Sequence, residues 1–278
     1  MPELHHIKAA FLRACRLDVE TRKPGNVSTA SAGHGMIASQ FVESAQAAAI
    51  GLFEPNASVG TRILEAVRRS FDVAGCNTNL GIVLLCAPLC VAFEEAAPRD
   101  IAAWRTATQS ALHALDMEDA RLAYRAIALA NPGGLGDAPE QTVHAAPTID
   151  LRAAMTLAAD RDSIARQYAN GFADIFDTVR LIDASTAQEA MLDAFLIFLR
   201  SWPDSHIVRK LGAAMAQSVT RDAALHHDRW RAEGSFHDCP EFDSWDAELK
   251  ARGINPGTSA DLAVATLFVA LAMGAFAE

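Results

Sequence analysis

The segment Gly75-Cys76-Asn77-Thr78-Asn79-Leu80-Gly81 runs directly into an apolar stretch, residues 82–93. Glycine and asparagine are common in turns, so the segment predicts a loop that leads into a buried helix. The first backbone N–H groups of a helix have no partner within it, and they favour bound anions. The loop therefore fits either an ordinary helix cap or one wall of an anion-binding site.

The composition of the 278-residue chain favours helices around a large core. Hydrophobic residues make up 51% of it and aromatic residues only 7%, and the abundance of alanine and leucine favours helix over strand. No segment alternates polar and apolar residues as a strand does, and no long linker divides the chain. We predict an all-α fold, with residues 1–278 forming a single-domain multi-helix bundle.

Charge and hydropathy limit the classes of partner. The net charge of −10 and the lack of a basic run argue against nucleic-acid binding. The longest apolar run, residues 262–277, falls short of the roughly 20 residues that a membrane span needs. The five cysteines contain no CxxC pair and indicate reduced thiols, and the N-terminus lacks a secretory pattern. We therefore expect a cytoplasmic protein that binds neither nucleic acid nor membrane.

Apolar periodicity and helix-stopping residues predict where several helices begin and end. Pro88 is expected to kink or divide the apolar helix that follows the Gly75 loop. One long helix is predicted over residues 160–182, and another begins at Asp204 with an apolar stripe that reaches Val219. Residues 226–243, rich in His, Asp, Trp and Gly, are predicted to form a surface excursion.

Four short loops share a composition of glycine, proline and asparagine, and each joins a helix to the next segment. Glycine lets the backbone approach a ligand closely, and asparagine supplies a donor and an acceptor without charge. None matches a Walker P-loop or a dinucleotide fingerprint, and such loops also serve as plain helix stops. The four loops are Lys23-Pro24-Gly25-Asn26, Gly75-Cys76-Asn77-Thr78-Asn79, Asn131-Pro132-Gly133-Gly134 and Asn255-Pro256-Gly257-Thr258-Ser259.

Aspartates near predicted helix starts are candidates for metal binding and for proton transfer. Asp160 and Asp162 could hold Mg²⁺ through water molecules, or they could cap a helix and complement its dipole. Asp261 follows Thr258 at the spacing of a capping box, so it also has a structural interpretation. These two interpretations stay open for all three aspartates.

A further group of charged residues follows the predicted helix start at Asp204. Arg209 and Lys210 lie within two helical turns of this aspartate. Guanidinium and ammonium groups on one helix face would suit phosphates, although a solvated helix face has the same composition. No HExxH, no zinc-binding Cys/His spacing and no Gly-x-Ser-x-Gly elbow is present.

Three of these motifs, taken together, resemble the triphosphoribosyl-dephospho-CoA synthase family. They lie at residues 23–27, 77–81 and 255–262, and the last, Asn-Pro-Gly-x-Ser-Ala-Asp-Leu, is the most specific. The resemblance covers most of the chain and implies an all-α pentosyltransferase. Such an enzyme uses ATP and dephospho-CoA as substrates, joins the triphosphoribosyl unit of ATP to a ribose hydroxyl and releases adenine.

The resemblance also implies roles for the polar residues. Asp204, Asp261 and His34 are the candidates for catalysis, in which an aspartate would accept the hydroxyl proton. Mg²⁺ is the expected cofactor, with Asp160 and Asp162 as its ligands. Contacts with nucleotide and phosphate are expected from Lys23, Asn26, Asn77, Thr78, Asn79, Arg209, Lys210, Asn255 and Ser259.

The chain departs from the family pattern at two places. Asn79 and Leu80 stand where the family commonly has His and Lys, and the run that contains His34, residues 31–36, lacks the family's acidic residue. Two alternatives to the synthase stay open: a related enzyme of another cofactor pathway, such as that of a one-carbon carrier, or a nucleotide-binding protein without catalysis. Small-molecule nucleotides are the expected substrates of the synthase, the related enzyme would act on a phosphorylated intermediate, and the apolar helices are compatible with a homodimer.

Overall fold

The computed structural model describes residues 2–31, 35–132, 141–143, 145–233 and 240–276. These residues form fourteen α-helices and no strand, which confirms the predicted all-α class. His34 and the Gly133-Gly134 pair of the third loop lie outside the described residues.

The helices follow one another through short connections. They are α1 Pro2–Glu20, α2 Ala38–Leu52, α3 Val59–Ala74, α4 Leu80–Ala96, α5 Ile101–His113, α6 Met117–Ala130, α7 Leu151–Thr156, α8 Ser163–Asn170, α9 Ala173–Leu181, α10 Ala187–Ser201, α11 Ser205–Leu211, α12 Ala213–Glu233, α13 Pro240–Ala251 and α14 Gly257–Ala272.

Two helices, α4 and α14, form the centre of the core. Nearly all of their residues are buried, and a helix that is apolar on every face is stable in water only when other elements surround it. Phe268 of α14 meets Phe11 and Trp104 edge to face, with ring centroids 6.0 and 5.5 Å apart. Among the described helices, none alone is long and apolar enough to cross a membrane. The α4–α5 pair, bent by 108°, would be long and apolar enough only if the two helices were counted together.

Pro88 lies inside α4, and the helix continues through it without division. Proline has no N–H, so the carbonyl oxygen of Leu84, four residues earlier, lacks its helical partner. The buried hydroxyl of Tyr168 in α8 donates to that oxygen at 2.7 Å. Burial also raises the pKa of Tyr168, which keeps the hydroxyl protonated as a donor. A tertiary hydrogen bond thus replaces the missing helical one and fixes α8 to α4.

Two predicted long helices are wrong, because each is broken at a glycine with positive φ. Gly171, at φ 70°, ends α8, and α9 begins after Phe172, at φ 60°. Gly212, at φ 89°, separates α11 from α12. Glycine adopts this conformation without a Cβ clash and commonly ends helices. The apolar periodicity continues across both breaks, so it does not reveal them.

The predicted surface excursion over residues 226–243 is helical at both described ends, in α12 and α13, and most of these described residues are exposed. His227 of α12 is 1% exposed, and its Nε2 lies 2.6 Å from Oδ1 of Asp193 in α10. Arg231 contacts the same carboxylate at 2.9 Å. His227 and Arg231 of this segment therefore belong to an ion network around Asp193 that joins α10 to α12.

We predict that Tyr168→Phe lowers the free energy of unfolding by about 1–3 kcal/mol, because it leaves the Leu84 carbonyl buried without a donor. In a Pro88→Ala background the restored N–H can supply the helical hydrogen bond, so the same change should cost less there. Chemical denaturation of the four proteins measures this double-mutant cycle. An equal cost in both backgrounds would contradict the explanation.

Candidate active site

A cavity of about 600 Å³ lies where α4, α8 and α14 begin. Its volume is in the range of small-molecule sites, and helix N-termini favour anionic groups. All four predicted loops contribute to its lining, the third through Pro132. The loops that the sequence grouped by composition therefore converge in space.

The first and last loops contact each other directly. Asn26 Nδ2 donates to Asn255 Oδ1 at 3.0 Å, and both residues line the cavity. Gly25 has a φ of +76°, and a Cβ there would lie 2.8 Å from the carbonyl oxygen of Ile254 and 2.9 Å from Pro256 Cδ. Only glycine allows this approach, so Gly25 is what places the two asparagines side by side.

The Gly75 loop places two of its three polar residues on the cavity wall. Asn77 Oδ1 accepts a hydrogen bond from the Leu80 N–H at 3.1 Å and so caps α4. Thr78 Oγ1 is a buried atom without a hydrogen-bond partner among the described residues. Asn79 is 5% exposed and does not line the cavity. The loop therefore acts as a helix cap and also offers a spare hydroxyl to a ligand.

Asp261 faces the cavity from the first turn of α14. The predicted capping box does not form, because Thr258 Oγ1 accepts a hydrogen bond from the His206 N–H at 3.1 Å and the cap residue is Pro256. The Asp261 carboxylate lies over Gly81 instead, where a Cβ would be 2.0 Å from its Oδ2. Within the described part of the chain, no donor forms a hydrogen bond with this carboxylate.

The surroundings of Asp261 disfavour its ionised form. Burial raises the pKa of this carboxyl well above its ordinary value, and the negative charges of Asp18, Asp204 and Asp162 add to the effect, while Arg209 opposes it. A carboxyl in such a place can carry a proton at neutral pH. Asp261 is therefore suited to proton transfer.

Asp18, at the end of α1, lines the same cavity and was not among the sequence candidates. Lys23 is fully buried, with its Nζ 3.1 Å from Asp18 Oδ1 and 3.4 Å from the carbonyl oxygen of Thr21. Its ammonium therefore neutralises Asp18 and does not reach the wall as a phosphate ligand. One signal was available: Asp18 shares the buried face of α1 with Phe11 and Cys15, where a charge is unusual.

Arg209 and Asp162 line the cavity as an ion pair, with Nη1 of the arginine 2.8 Å from Oδ2 of the aspartate. Asp162 Oδ1 caps α8. Arg209 Nε is buried and has no hydrogen-bond partner in the described part of the chain. Lys210 and Asp160 are exposed and lie away from the lining. Of the two predicted phosphate ligands in α11, only Arg209 is therefore placed to meet a ligand.

Asp204 and Ser259 form a buried brace outside the cavity lining. Asp204 Oδ2 accepts hydrogen bonds from the N–H and the hydroxyl of Ser259 at 2.7 and 2.8 Å. Its Oδ1 accepts from the N–H groups of His206 and Ile207 at 2.9 and 3.1 Å. Burial raises the pKa of Asp204, and these hydrogen bonds oppose the rise. The arrangement joins α11 to α14 and leaves neither residue facing a ligand.

The predicted Mg²⁺ ligands, Asp160 and Asp162, do not fit a metal site. Asp160 is exposed away from the cavity, and the oxygens of Asp162 are engaged by the α8 cap and by Arg209. Among the residues that the structure describes, no group of three or more His, Cys, Asp or Glu side chains is placed to hold a metal ion. We therefore derive no step of the chemistry through this pair.

A family model and a solved structure that match this chain agree with each other. The model of the ATP:dephospho-CoA triphosphoribosyl transferase family (CitG) matches residues 4–277. A crystal structure from Archaeoglobus fulgidus, described provisionally as a triphosphoribosyl-dephospho-CoA synthase, is 23% identical and has a TM-score of 0.66. The match covers 84% of this chain and 98% of that one, and it shows a shared fold. A comparison with curated proteins gives no match. Because the family model spans nearly the whole chain, the protein belongs to the ATP:dephospho-CoA triphosphoribosyl transferase family.

Proposed function

We propose that the cavity is the active site in which this enzyme joins the triphosphoribosyl unit of ATP to a ribose hydroxyl of dephospho-CoA. One observation carries this assignment. Thr78 Oγ1 and Arg209 Nε are buried and lack hydrogen-bond partners among the described residues, and both residues line the cavity. Buried polar groups are normally paired, so two unpaired groups in the lining of one cavity favour a polar ligand there.

The reaction sets clear demands on such a site. The bond between C1′ of the ATP ribose and the adenine nitrogen breaks, and a bond from C1′ to the acceptor oxygen forms. Positive charge develops on the sugar in the transition state, as in glycosyl transfer generally. Asp18 and Asp162 bring carboxylates to the wall, where negative charge stabilises that sugar.

The remaining lining residues supply contacts for the two nucleotides. Arg209 and Arg161 are arginines of the lining, and the guanidinium fork matches phosphate oxygens. Asn26 and Asn255 present amides on two adjoining loops, which suit ribose hydroxyls and base edges. We include Mg²⁺ only as the ion that accompanies the triphosphate, since the magnesium of nucleotides is held largely by phosphates and water.

The proposal also covers location and assembly. Four described cysteines are free thiols, and three of them, Cys15, Cys86 and Cys90, are buried. Free thiols suit a reducing compartment, which supports the cytoplasm, where ATP is also available. The homodimer expected from the sequence stays a prediction, and analytical ultracentrifugation would test it.

The function is tested by incubating purified protein with ATP, Mg²⁺ and dephospho-CoA and by separating the products chromatographically. We expect free adenine and an acceptor adduct in equal amounts, and no adenine when the acceptor is omitted. An adduct that forms without adenine would indicate transfer of another group. Tight ATP binding without any product would instead support the non-catalytic alternative.

We predict that Gly81→Ala lowers kcat/KM by roughly 100-fold, because a methyl group would displace the Asp261 carboxylate, and a shift of about 1 Å at a reacting group has an effect of that order. Gly257→Ala is the matched control, since it adds a methyl to the same cavity with its nearest neighbour at 3.7 Å. Steady-state adenine release compares the two. Equal activities in the two variants would contradict the role of the Gly81 contact.

We predict that Arg209→Ala lowers kcat/KM for ATP by about 10- to 100-fold, the loss expected for a charge-assisted hydrogen bond to phosphate. Lys210→Ala removes a neighbouring cation of the same helix that lies outside the cavity, so it should change kcat/KM less than twofold. Titration of ATP at fixed acceptor concentration measures both. A larger effect for Lys210→Ala would place the triphosphate elsewhere.

A further inference from the structure

Two carboxyl groups in the cavity lie in opposite electrostatic surroundings. Asp18 is paired with the ammonium of Lys23, at 3.1 Å, and this lysine is fully buried. A buried ammonium is stable only beside a compensating anion. Asp18 therefore has a cationic partner that the ligand itself does not meet.

Asp261 has no such support. Its carboxylate sits over Gly81 and forms no hydrogen bond with the described residues, and the nearby charges of Asp18, Asp204 and Asp162 are all negative, with Arg209 the opposing cation. Burial and neighbouring negative charges favour the protonated form of such a carboxyl. When two carboxyl groups of one site differ in this way, their environments assign them opposite roles as base and acid.

We propose that Asp18 is the general base that takes the proton of the acceptor hydroxyl, and that Asp261 is the general acid that protonates the departing adenine. Lys23 is a positioning residue that acts through Asp18. The inference rests on the proposed function and adds to it a residue that lies in none of the family motifs quoted above.

The step balances without another reactant. The O–H bond of the acceptor breaks, its proton moves to Asp18, and its electron pair forms the new bond to C1′. The electron pair of the C1′–N bond leaves with adenine, and a ring nitrogen takes the proton of Asp261. Asp18 then holds one proton and Asp261 none, and transfer of that proton between them, directly or through a water molecule, restores the starting state.

The roles of Asp18 and Asp261 can be tested separately with an ATP analogue whose base does not need to be protonated in order to leave. ATP methylated at N7 of adenine carries a positive base, which departs as a neutral molecule without protonation. With ATP, we expect Asp18→Asn and Asp261→Asn each to slow single-turnover formation of free base by about 10²–10⁴-fold, the range of general acid–base catalysis. With the methylated analogue, Asp261→Asn should return to within tenfold of the wild type and Asp18→Asn should stay slow.

Two results would overturn the assignment: an Asp18→Asn rate within threefold of the wild type, or equal rescue of both variants by the analogue. Asp18→Asn leaves the Lys23 ammonium buried without a partner, so the double variant Asp18→Asn with Lys23→Met serves as a folded substitute, and thermal unfolding confirms it. It should be as slow as the single variant. A wild type that releases no adenine rejects the proposed function, whereas an active wild type with an active Asp18→Asn rejects only this inference.

The role of Lys23 is tested through the pH dependence of kcat/KM. If Lys23 were only structural, its replacement would not shift this pH dependence. Lys23→Met removes the cation 3.1 Å from Asp18, so the acid limb of the profile should shift upward by about one pH unit or more. The other titratable or charged groups near the pair, namely Cys15, Cys86, Asp162, Asp204, Arg209 and Lys250, are unchanged in this variant. An acid limb that stays in place would remove Lys23 from the mechanism.

Discussion

The contact between Gly81 and the Asp261 carboxylate is the constraint on which the site depends. It exists because the two most apolar helices, α4 and α14, begin side by side, and only the missing side chain of Gly81 leaves room for a carboxylate between them. The packing of α4 against α14 therefore also determines the position of the Asp261 carboxylate. A small error in how α4 meets α14 would have little effect on hydrophobic burial but would move Asp261 directly.

Charged side chains of both signs lie in or next to the cavity, and ion pairs join most of the cations to aspartates. Lys23 is engaged by Asp18, and Nη1 of Arg209 by Asp162, so the carboxylates near the sugar do not simply repel the triphosphate. Asp204 has a structural role, since each of its carboxylate oxygens accepts two hydrogen bonds that help join α11 to α14. Three aspartates that look alike in sequence, Asp162, Asp204 and Asp261, thus differ in what they contact.

The sequence predicted the helical class and grouped four loops by composition, because turn chemistry and apolar periodicity are local properties. It did not predict the breaks at Gly171 and Gly212, where the apolar pattern continues while the backbone turns. It also missed Asp18, placed Lys23 among the ligands and treated His227 as a surface residue. Each of these depends on a partner distant in the chain or on burial, such as Asp193 for His227, and a single sequence does not show which residues meet.

The hydrogen bond from Tyr168 to the Leu84 carbonyl imposes an order on evolutionary change. A lineage that carries Pro88 cannot lose the tyrosine hydroxyl without leaving a buried carbonyl unpaired. A lineage that first replaces the proline restores the helical bond and is then free to change the tyrosine. The cost of changing the tyrosine therefore depends on which of the two positions changes first. Because α8 carries Tyr168 and also begins at the cavity wall, the same hydrogen bond supports the active site as well as the core.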